Sequence, residues 1–318
     1  MIVGGCARSG TTLLRTMLNS HPDLAVPHET KFMVTAWRRR EAFGDLTRVD
    51  NRRDVADWCI DVPHSRFSRI GIDREVLREA FAAAAPTLGS LMAVCFELYA
   101  EKNGKPRWGD KRPSYSRNLN AVFGFFPNAR FVNVVRDPRA CVASMGKAWP
   151  KWGRVASATE VWERTDKAVQ AGHRKLSADQ ILEIRYEDLV TKPYETLEPI
   201  CEFLSLDAAQ IPTMLDYHEG KDLPTGELYR NAAAPVNTQA VQRWMEEMSD
   251  SDIALVEHVL GDRIVHHGYE LTGRRGPLSA EVMADFERVR AKRNKEERRR
   301  QLVEFKRRVT YRQPTAYR

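Results

Sequence analysis

A glycine-rich stretch with basic and hydroxyl side chains follows the first apolar segment of the chain. Residues 5–12 have the sequence Gly-Cys-Ala-Arg-Ser-Gly-Thr-Thr and stand between a short predicted strand and a predicted helix. The backbone N–H groups of such a turn converge on one point, and the start of the helix adds positive potential there. The stretch therefore predicts a phosphate-binding loop, with an ordinary glycine-rich turn as the plain alternative. Its candidate ligands are Arg8, Ser9, Gly10, Thr11 and Thr12.

The loop lacks the lysine with which nucleotide-hydrolysing P-loops reach the β- and γ-phosphates. Thr11 occupies that position in the glycine spacing from Gly5 to Gly10. The missing lysine weakens the interpretation as a kinase or NTPase, although a P-loop enzyme with an altered loop stays an alternative. A non-catalytic nucleotide-binding scaffold is a second alternative.

A second anion site is predicted further along the chain. Arg136 directly follows an apolar strand, and Ser144 lies on the helix predicted after it. A guanidinium can hold a phosphate through two parallel hydrogen bonds, and a hydroxyl can add a third. Asp137 precedes Pro138, which favours an N-cap role for this carboxylate over a magnesium ligand.

The elements that must position these side chains are short apolar strands that alternate with helices. This order predicts an α/β fold with a P-loop-like central parallel sheet flanked by helices. Ligands of such sheets bind beyond the carboxyl ends of the strands. The first predicted strand begins at residue 2, and the other two span 130–135 and 180–185. The helices that follow these three strands span about 11–20, 139–149 and 194–204, respectively.

Two phosphate sites on one sheet, without a loop lysine or a clear metal site, indicate a nucleotide phosphorylated at both ends. Here the sequence resembles the sulfotransferases that use 3′-phosphoadenosine 5′-phosphosulfate (PAPS), and most of all their tyrosylprotein-like branch and related bacterial enzymes. The resemblance implies that the loop binds the 5′-phosphosulfate and that Arg136 with Ser144 binds the 3′-phosphate. It also implies sulfuryl transfer to a hydroxyl of a peptide tyrosine, sugar, lipid or natural product, with 3′,5′-bisphosphoadenosine (PAP) as product and no metal required.

The same resemblance supplies catalytic candidates. The branch's catalytic glutamate falls on Glu29, and its catalytic lysine falls on Lys111 in the segment Trp-Gly-Asp-Lys-Arg-Pro. Arg8 is expected to share with Lys111 the stabilisation of the transferring group. His28 is the rival base, because an imidazole titrates near neutrality.

Two further nucleotide contacts follow from the resemblance. Tyr186, at the end of the third strand, matches the tyrosine that contacts the nucleotide in this branch. The basic and hydroxyl residues expected just before the segment 235–237 are replaced by three alanines. Arg230 is the candidate that compensates for them.

The net charge of +7 is concentrated at the C-terminus. From Met283 to Arg318, 13 Lys and Arg accompany 5 Asp and Glu, so the rest of the chain is close to neutral and does not indicate a nucleic-acid-binding core. We predict a sulfotransferase domain over 1–278 and a basic helical extension over 279–318. We interpret the extension as a charged surface helix. Docking of this helix to an anionic polymer, an acidic partner or a lipid surface stays an alternative. The protein could also form a homodimer.

Cysteine usage and hydropathy bear on the expected location. The 5 cysteines lie far apart without a C-x-x-C pair, which suits a reducing cytoplasm. No uninterrupted apolar run reaches the roughly 18 residues of a membrane span. The first residues lack the features of a secretory signal. We therefore expect a cytoplasmic enzyme without a transmembrane segment.

Overall fold

The structure, a computed structural model, describes residues 1–149, 154–220, 222–273, 278–311 and 314–317. The strands within these residues are β1 (Ile2–Gly5), β2 (Leu24–Ala25), β3 (Arg107–Trp108), β4 (Asp110–Lys111), β5 (Phe131–Val135) and β6 (Ile181–Arg185). The helices are α1 (Thr11–Ser20), α2 (Phe32–Arg39), α3 (Val49–Asp61), α4 (Arg74–Ala83), α5 (Leu88–Lys102), α6 (Leu119–Phe125), α7 (Pro138–Ala148), α8 (Val155–His173), α9 (Tyr186–Thr191), α10 (Pro193–Leu204), α11 (Ile211–Leu215), α12 (Arg230–Ala233), α13 (Trp244–Glu247), α14 (Asp250–His266) and α15 (Ala280–Thr310).

The central sheet has the strand order β4-β1-β5-β6, and every pairing in it is parallel. Ile2 pairs with Asp110 on one side and with Phe131 on the other. Because helices cover both faces, every residue of β1 and of β5 is buried. The predicted α/β class with a central parallel sheet is confirmed. All four carboxyl ends therefore meet at one edge of the sheet.

The local predictions and the observed elements agree closely where the apolar pattern is strong. The strands predicted over 130–135 and 180–185 are β5 and β6, and the first predicted helix is α1. Tyr186, predicted at the end of the third strand, directly follows β6 and is the first residue of the short helix α9. Strand β4 was not predicted, because its two residues, Asp110 and Lys111, carry no apolar pattern.

The basic extension forms one long helix that packs along the rest of the chain. Its N-cap is Ser279, whose hydroxyl accepts from the backbone N–H of Val282, so the helix start predicted at Ser279 is confirmed. Phe286 is fully buried in a cluster that includes Ala156 and Leu255. The helix therefore presents an apolar stripe to α8 and α14 over its first turns.

Ion pairs continue this contact along α15. Arg290 Nη2 lies 2.9 Å from Glu163 Oε1 of α8. Arg40 Nη2, near the end of α2, lies 2.7 Å from Glu304 Oε1. A carboxylate of the body thus pairs with an arginine of the extension, and an arginine of the body pairs with a carboxylate of the extension.

The five cysteines and His267 are buried and pack or hydrogen-bond within the protein. All five cysteines are buried free thiols. His267 donates hydrogen bonds to the carboxylates of Asp166 and Glu183, acidic partners that its sequence spacing did not indicate. Burial opposes its charged form, but these two carboxylates raise the pKa of His267 to about 9. Among the residues that are described, no group of three or more His, Cys, Asp or Glu could hold a metal ion.

Across the ranges that the structure covers, none of the helices combines the length and the apolar character needed to cross a membrane.

Candidate active site

The predicted phosphate loop connects β1 to α1 and has an unusual backbone. Gly10, the N-cap of α1, has φ 94°, and Arg8 has φ 69°. Both values lie in the left-handed region, where a side chain other than hydrogen is strained. The Ser9 hydroxyl is buried without a hydrogen-bond partner among the described residues. The left-handed turn and the buried hydroxyl without a partner fit the predicted anion-binding loop.

The two anion motifs predicted from the sequence touch each other. Arg136 Nη1 donates to the backbone oxygen of Arg8 at 2.9 Å, and Arg8 Nε donates to Ser144 Oγ at 3.0 Å. Arg136 Nη2 donates to the Ala240 oxygen, while its buried Nε has no partner among the described residues. Burial and the nearby charge of Arg136 lower the pKa of Arg8. Two close guanidinium groups in a buried setting favour an anionic ligand.

Tyr186 lies between these two motifs and contacts both of them. The Arg136 guanidinium stacks over its ring at 4.5 Å from the centroid. The same ring packs against Gly10, where an added Cβ would lie 2.3 Å from Tyr186 Cδ2. The loop, Arg136 and Tyr186 therefore form one site at the carboxyl edge of the sheet.

Gly10→Ala is expected to weaken PAP binding by ten-fold or more, because the methyl group would displace Tyr186 and the loop backbone. Gly104→Ala is the matched control, since Gly104 has φ 63° but no atom within 4 Å of its added Cβ. Both variants should lower the melting temperature, and titration calorimetry should show a loss of PAP affinity for Gly10→Ala alone. Equal affinities in the two variants would contradict the packing argument.

Lys111 reaches the loop from the neighbouring strand. Because β4 pairs beside β1, with Lys111 opposite Val3, its side chain lies at the same edge of the sheet. Lys111 Nζ donates to Thr12 Oγ1 at 3.2 Å and lies 3.7 Å from Glu29 Oε2. Burial lowers the pKa of Lys111 to about 8, and the carboxylate of Glu29 opposes this shift. One ammonium thus bridges the phosphate loop and the candidate base.

Buried contacts hold Lys111 in this position. The carboxylate of the preceding residue, Asp110, accepts from the Lys111 backbone N–H at 2.8 Å and from the Tyr115 hydroxyl. Burial raises the pKa of Asp110 to about 6, although both hydrogen bonds stabilise its charged form. These two hydrogen bonds hold the backbone next to Lys111 in place.

His28 is engaged with a residue that the sequence did not suggest. His28 Nε2 lies 2.8 Å from Asp222 Oδ1, and Arg15 pairs with the other oxygen of Asp222. Although burial opposes ionisation, the hydrogen bond from His28 and the charge of Arg15 lower the pKa of Asp222. No sequence signal links positions 15, 28 and 222. The structure therefore places Glu29, rather than His28, beside Lys111.

Asp137 has the capping role that the sequence favoured. Its Oδ1 accepts from the backbone N–H of Arg139 at 2.8 Å, at the start of α7. Its Oδ2 pairs with the Arg139 guanidinium, which also lies 2.5 Å from Glu257. Both carboxylate oxygens of Asp137 are thus held by the protein itself.

Arg230 lies at the first position of α12 and is exposed. No hydrogen bond or ion pair of the described residues joins it to the phosphate loop. The role expected for Arg230 therefore stays a prediction.

Arg136→Met is expected to weaken PAP binding by about 10²-fold, because it removes a buried charged donor aimed at the ligand. Arg230→Met is the matched comparison, since it removes the same group from an exposed position. Calorimetry with PAP should separate the two variants. A loss of equal size in both would show that Arg230 supplies the late basic contact.

Comparison with known proteins identifies relatives of this chain. Over 282 residues the chain is 28% identical to a protein-tyrosine sulfotransferase of Drosophila melanogaster, covering 82% of this chain and 51% of that protein. It is also 28% identical over 297 residues to the nodulation protein NoeE of Sinorhizobium fredii, covering 84% of this chain and 65% of NoeE. The chain thus spans about half the length of the first relative and less than two thirds of the second.

Solved structures share the fold. The sulfotransferase domain of the Synechococcus PCC 7002 olefin synthase matches with a TM-score of 0.59 and 22% identity, covering 85% of this chain and 94% of that domain. The sulfotransferase domain from the curacin biosynthetic pathway matches with a TM-score of 0.57 and 20% identity, covering 85% and 97%. A family model described as the sulfotransferase family matches residues 1–210. The resemblance drawn from the two phosphate motifs is confirmed, and the chain belongs to the sulfotransferase family.

Proposed function

We propose that this protein transfers the sulfuryl group of PAPS to a hydroxyl group of an acceptor. The observation that carries the proposal is the position of Lys111, in contact with Thr12 of the phosphate loop and with Glu29. A cation between an anion-binding loop and a carboxylate is the arrangement that a group transfer from a nucleotide to a hydroxyl needs.

The residues present fit a nucleotide with phosphate groups at both ends. The unpartnered Ser9 hydroxyl would hold the 5′-phosphosulfate together with the loop N–H groups, Thr11 and Thr12. The unpartnered Nε of Arg136, together with Ser144, would hold the 3′-phosphate. Tyr186 would contact the nucleotide between them.

Each catalytic candidate has a distinct role in the proposed reaction. When bound, PAPS supplies a sulfuryl group whose bond to the bridging oxygen breaks as the acceptor oxygen bonds to sulfur, leaving PAP. Glu29 accepts the proton of the acceptor hydroxyl, and its 20% exposure leaves one side open to the acceptor. Lys111 and Arg8 place positive charge where negative charge develops on the departing oxygen.

The acceptor and its setting are part of the proposal. The protein-tyrosine sulfotransferase and NoeE relatives make a peptide tyrosine and other hydroxyl acceptors reasonable first choices for a panel. We propose that no metal takes part, because Lys111 and Arg8 supply the cationic charge. A cytoplasmic location is also proposed, since buried free thiols suit a reducing compartment.

The test is transfer of label from sulfur-labelled PAPS to an acceptor panel in the presence of a chelator. We expect labelled product and PAP in equal amounts, with no consumption of ATP under the same conditions. Magnesium-dependent turnover of ATP without use of PAPS would instead identify a kinase or NTPase with an altered loop. Tight binding of PAP without transfer to any acceptor would support a non-catalytic scaffold.

A further inference from the structure

A large groove lies between the C-terminal helix and the body of the protein, and the proposed reaction does not use it. Its volume is about 1210 Å³. The walls come from α2, the segment from Arg112 to Asn120, α8 and α15. A space of this size is ample for a small organic molecule.

The charges that line the groove are mostly positive. Arg38, Arg112, Arg117 and Arg300 come from separate parts of the chain and share its lining. Burial, followed by the charges of Arg300, Arg112 and Arg117, lowers the pKa of Arg38. The four positive charges line one groove and repel one another.

The carboxylates of the groove are already paired with cations of the protein. Glu163 pairs with Lys167 and Arg290. Glu160 and Glu297 both pair with Arg164, and Glu297 also lies 3.8 Å from Arg300. The groove therefore keeps an excess of positive charge that an anionic ligand would neutralise.

Apolar and unsatisfied polar groups share the same walls. Val303 and Phe305 of α15 line the groove and are 45% and 67% exposed, so the described residues cover them only in part. Trp37 Nε1 and Ser114 Oγ, on two other lining residues, are buried without hydrogen-bond partners among the described residues. Unpaired buried polar atoms are rare in native structures and call for an explanation.

The groove adjoins the candidate catalytic pair. Arg112, which lines the groove, directly follows Lys111 in the sequence. Its Nη1 donates to the backbone oxygen of Lys31, two residues after Glu29, at 3.2 Å. Arg112 therefore connects a wall of the groove to the segments that carry Lys111 and Glu29.

We propose that this groove binds the part of the acceptor that is remote from the reacting hydroxyl, and that the acceptor is an amphiphilic oxyanion. Such a molecule combines an apolar chain with a carboxylate, sulfate or phosphate group. Guanidinium groups match these planar or tetrahedral oxyanions, and Phe305 and Val303 match the chain. The inference rests on the proposed function, and it makes α15 part of the acceptor site.

Binding of an unreactive probe tests the groove separately from catalysis. Dodecyl phosphate is titrated below its micelle concentration into the full chain with PAP bound, beside inorganic phosphate and the neutral dodecyl maltoside. We expect dodecyl phosphate to bind at least ten-fold more tightly than either comparison compound. Equal binding of dodecyl phosphate and dodecyl maltoside, or of dodecyl phosphate and inorganic phosphate, would overturn the proposed ligand class.

Matched variants locate the binding. Arg300→Ala and Phe305→Ala should each weaken dodecyl phosphate binding by five-fold or more, by analogy with single charged or apolar contacts. Arg298→Ala, an exposed position of the same helix that does not line the groove, should leave it unchanged. Equal losses in Arg298→Ala and Arg300→Ala would show general attraction to the basic helix and overturn the site.

Transfer assays then distinguish this inference from the proposed function. With an ω-hydroxydodecanoate as acceptor, Arg300→Ala should raise KM with little change in kcat, whereas the matched α,ω-diol should respond much less. PAP affinity should be the same in Arg300→Ala and the wild type. Transfer only to acidic tyrosine peptides would overturn the amphiphile while leaving sulfuryl transfer intact. Failure of PAP to bind would instead overturn the proposed function.

Discussion

Glu29→Gln is expected to lower kcat for sulfuryl transfer by about 10²–10⁴-fold, the usual contribution of a positioned general base. Glutamine keeps the shape and hydrogen-bonding reach of the side chain but cannot accept the acceptor proton. PAP affinity should change little, because Glu29 contacts Lys111 and not the loop itself. Single-turnover transfer from labelled PAPS, with PAP calorimetry in parallel, measures both quantities.

His28→Gln is the matched control for this prediction. His28 precedes Glu29 in the chain but is bonded to Asp222, so its loss should reduce kcat by less than about ten-fold. If His28→Gln carried the large loss and Glu29→Gln did not, the base would be the imidazole. The proposed reaction would survive that result, but the assignment of Glu29 would not.

Lys111→Met is expected to lower kcat by about 10²–10³-fold, the size of effect found when one preorganised donor to a developing negative charge is removed. Methionine fills the buried space of the lysine stem without the ammonium. PAP should still bind through Arg136 and the loop. Normal turnover by Lys111→Met would show that Arg8 suffices and that the contact with Thr12 is merely structural.

The pH dependence of the wild type provides an independent measure of Lys111. Since burial lowers the pKa of Lys111 to about 8, the free protein loses this positive charge as the pH rises through that value. In the proposed reaction the protonated form is the active one, so kcat/KM for PAPS should fall as the pH rises through about 8.

Glu29→Gln also serves as a test of this pH limit. Removing the carboxylate takes away a charge that raises the pKa of Lys111, so the alkaline decline should move to lower pH. Lys111→Met should show no alkaline decline in kcat/KM that is due to Lys111. If the decline were unchanged in both variants, it would belong to another residue.

Short stretches of the sequence predicted the loop between β1 and α1 and the order of the main strands. The loop depends on glycine spacing and on hydroxyl residues that are neighbours in the chain, and Arg136 is placed by the strand directly before it. Asp137 at the start of α7 and Ser279 at the start of α15 were likewise predictable, because a cap contacts backbone N–H groups only two or three residues away. Such features depend only on residues that are close together in the chain, so the sequence alone predicts them.

Only the tertiary structure brought the distant side chains together. The sequence alone could not show that Lys111 lies beside Glu29, since that contact depends on β4 pairing next to β1. It also could not show that Asp222 holds His28. The basic extension shows the same limit, because composition fixed its charge but packing decided which faces are paired and which line the groove. Contacts between residues far apart in sequence depend on how whole elements pack, and no local pattern encodes that arrangement.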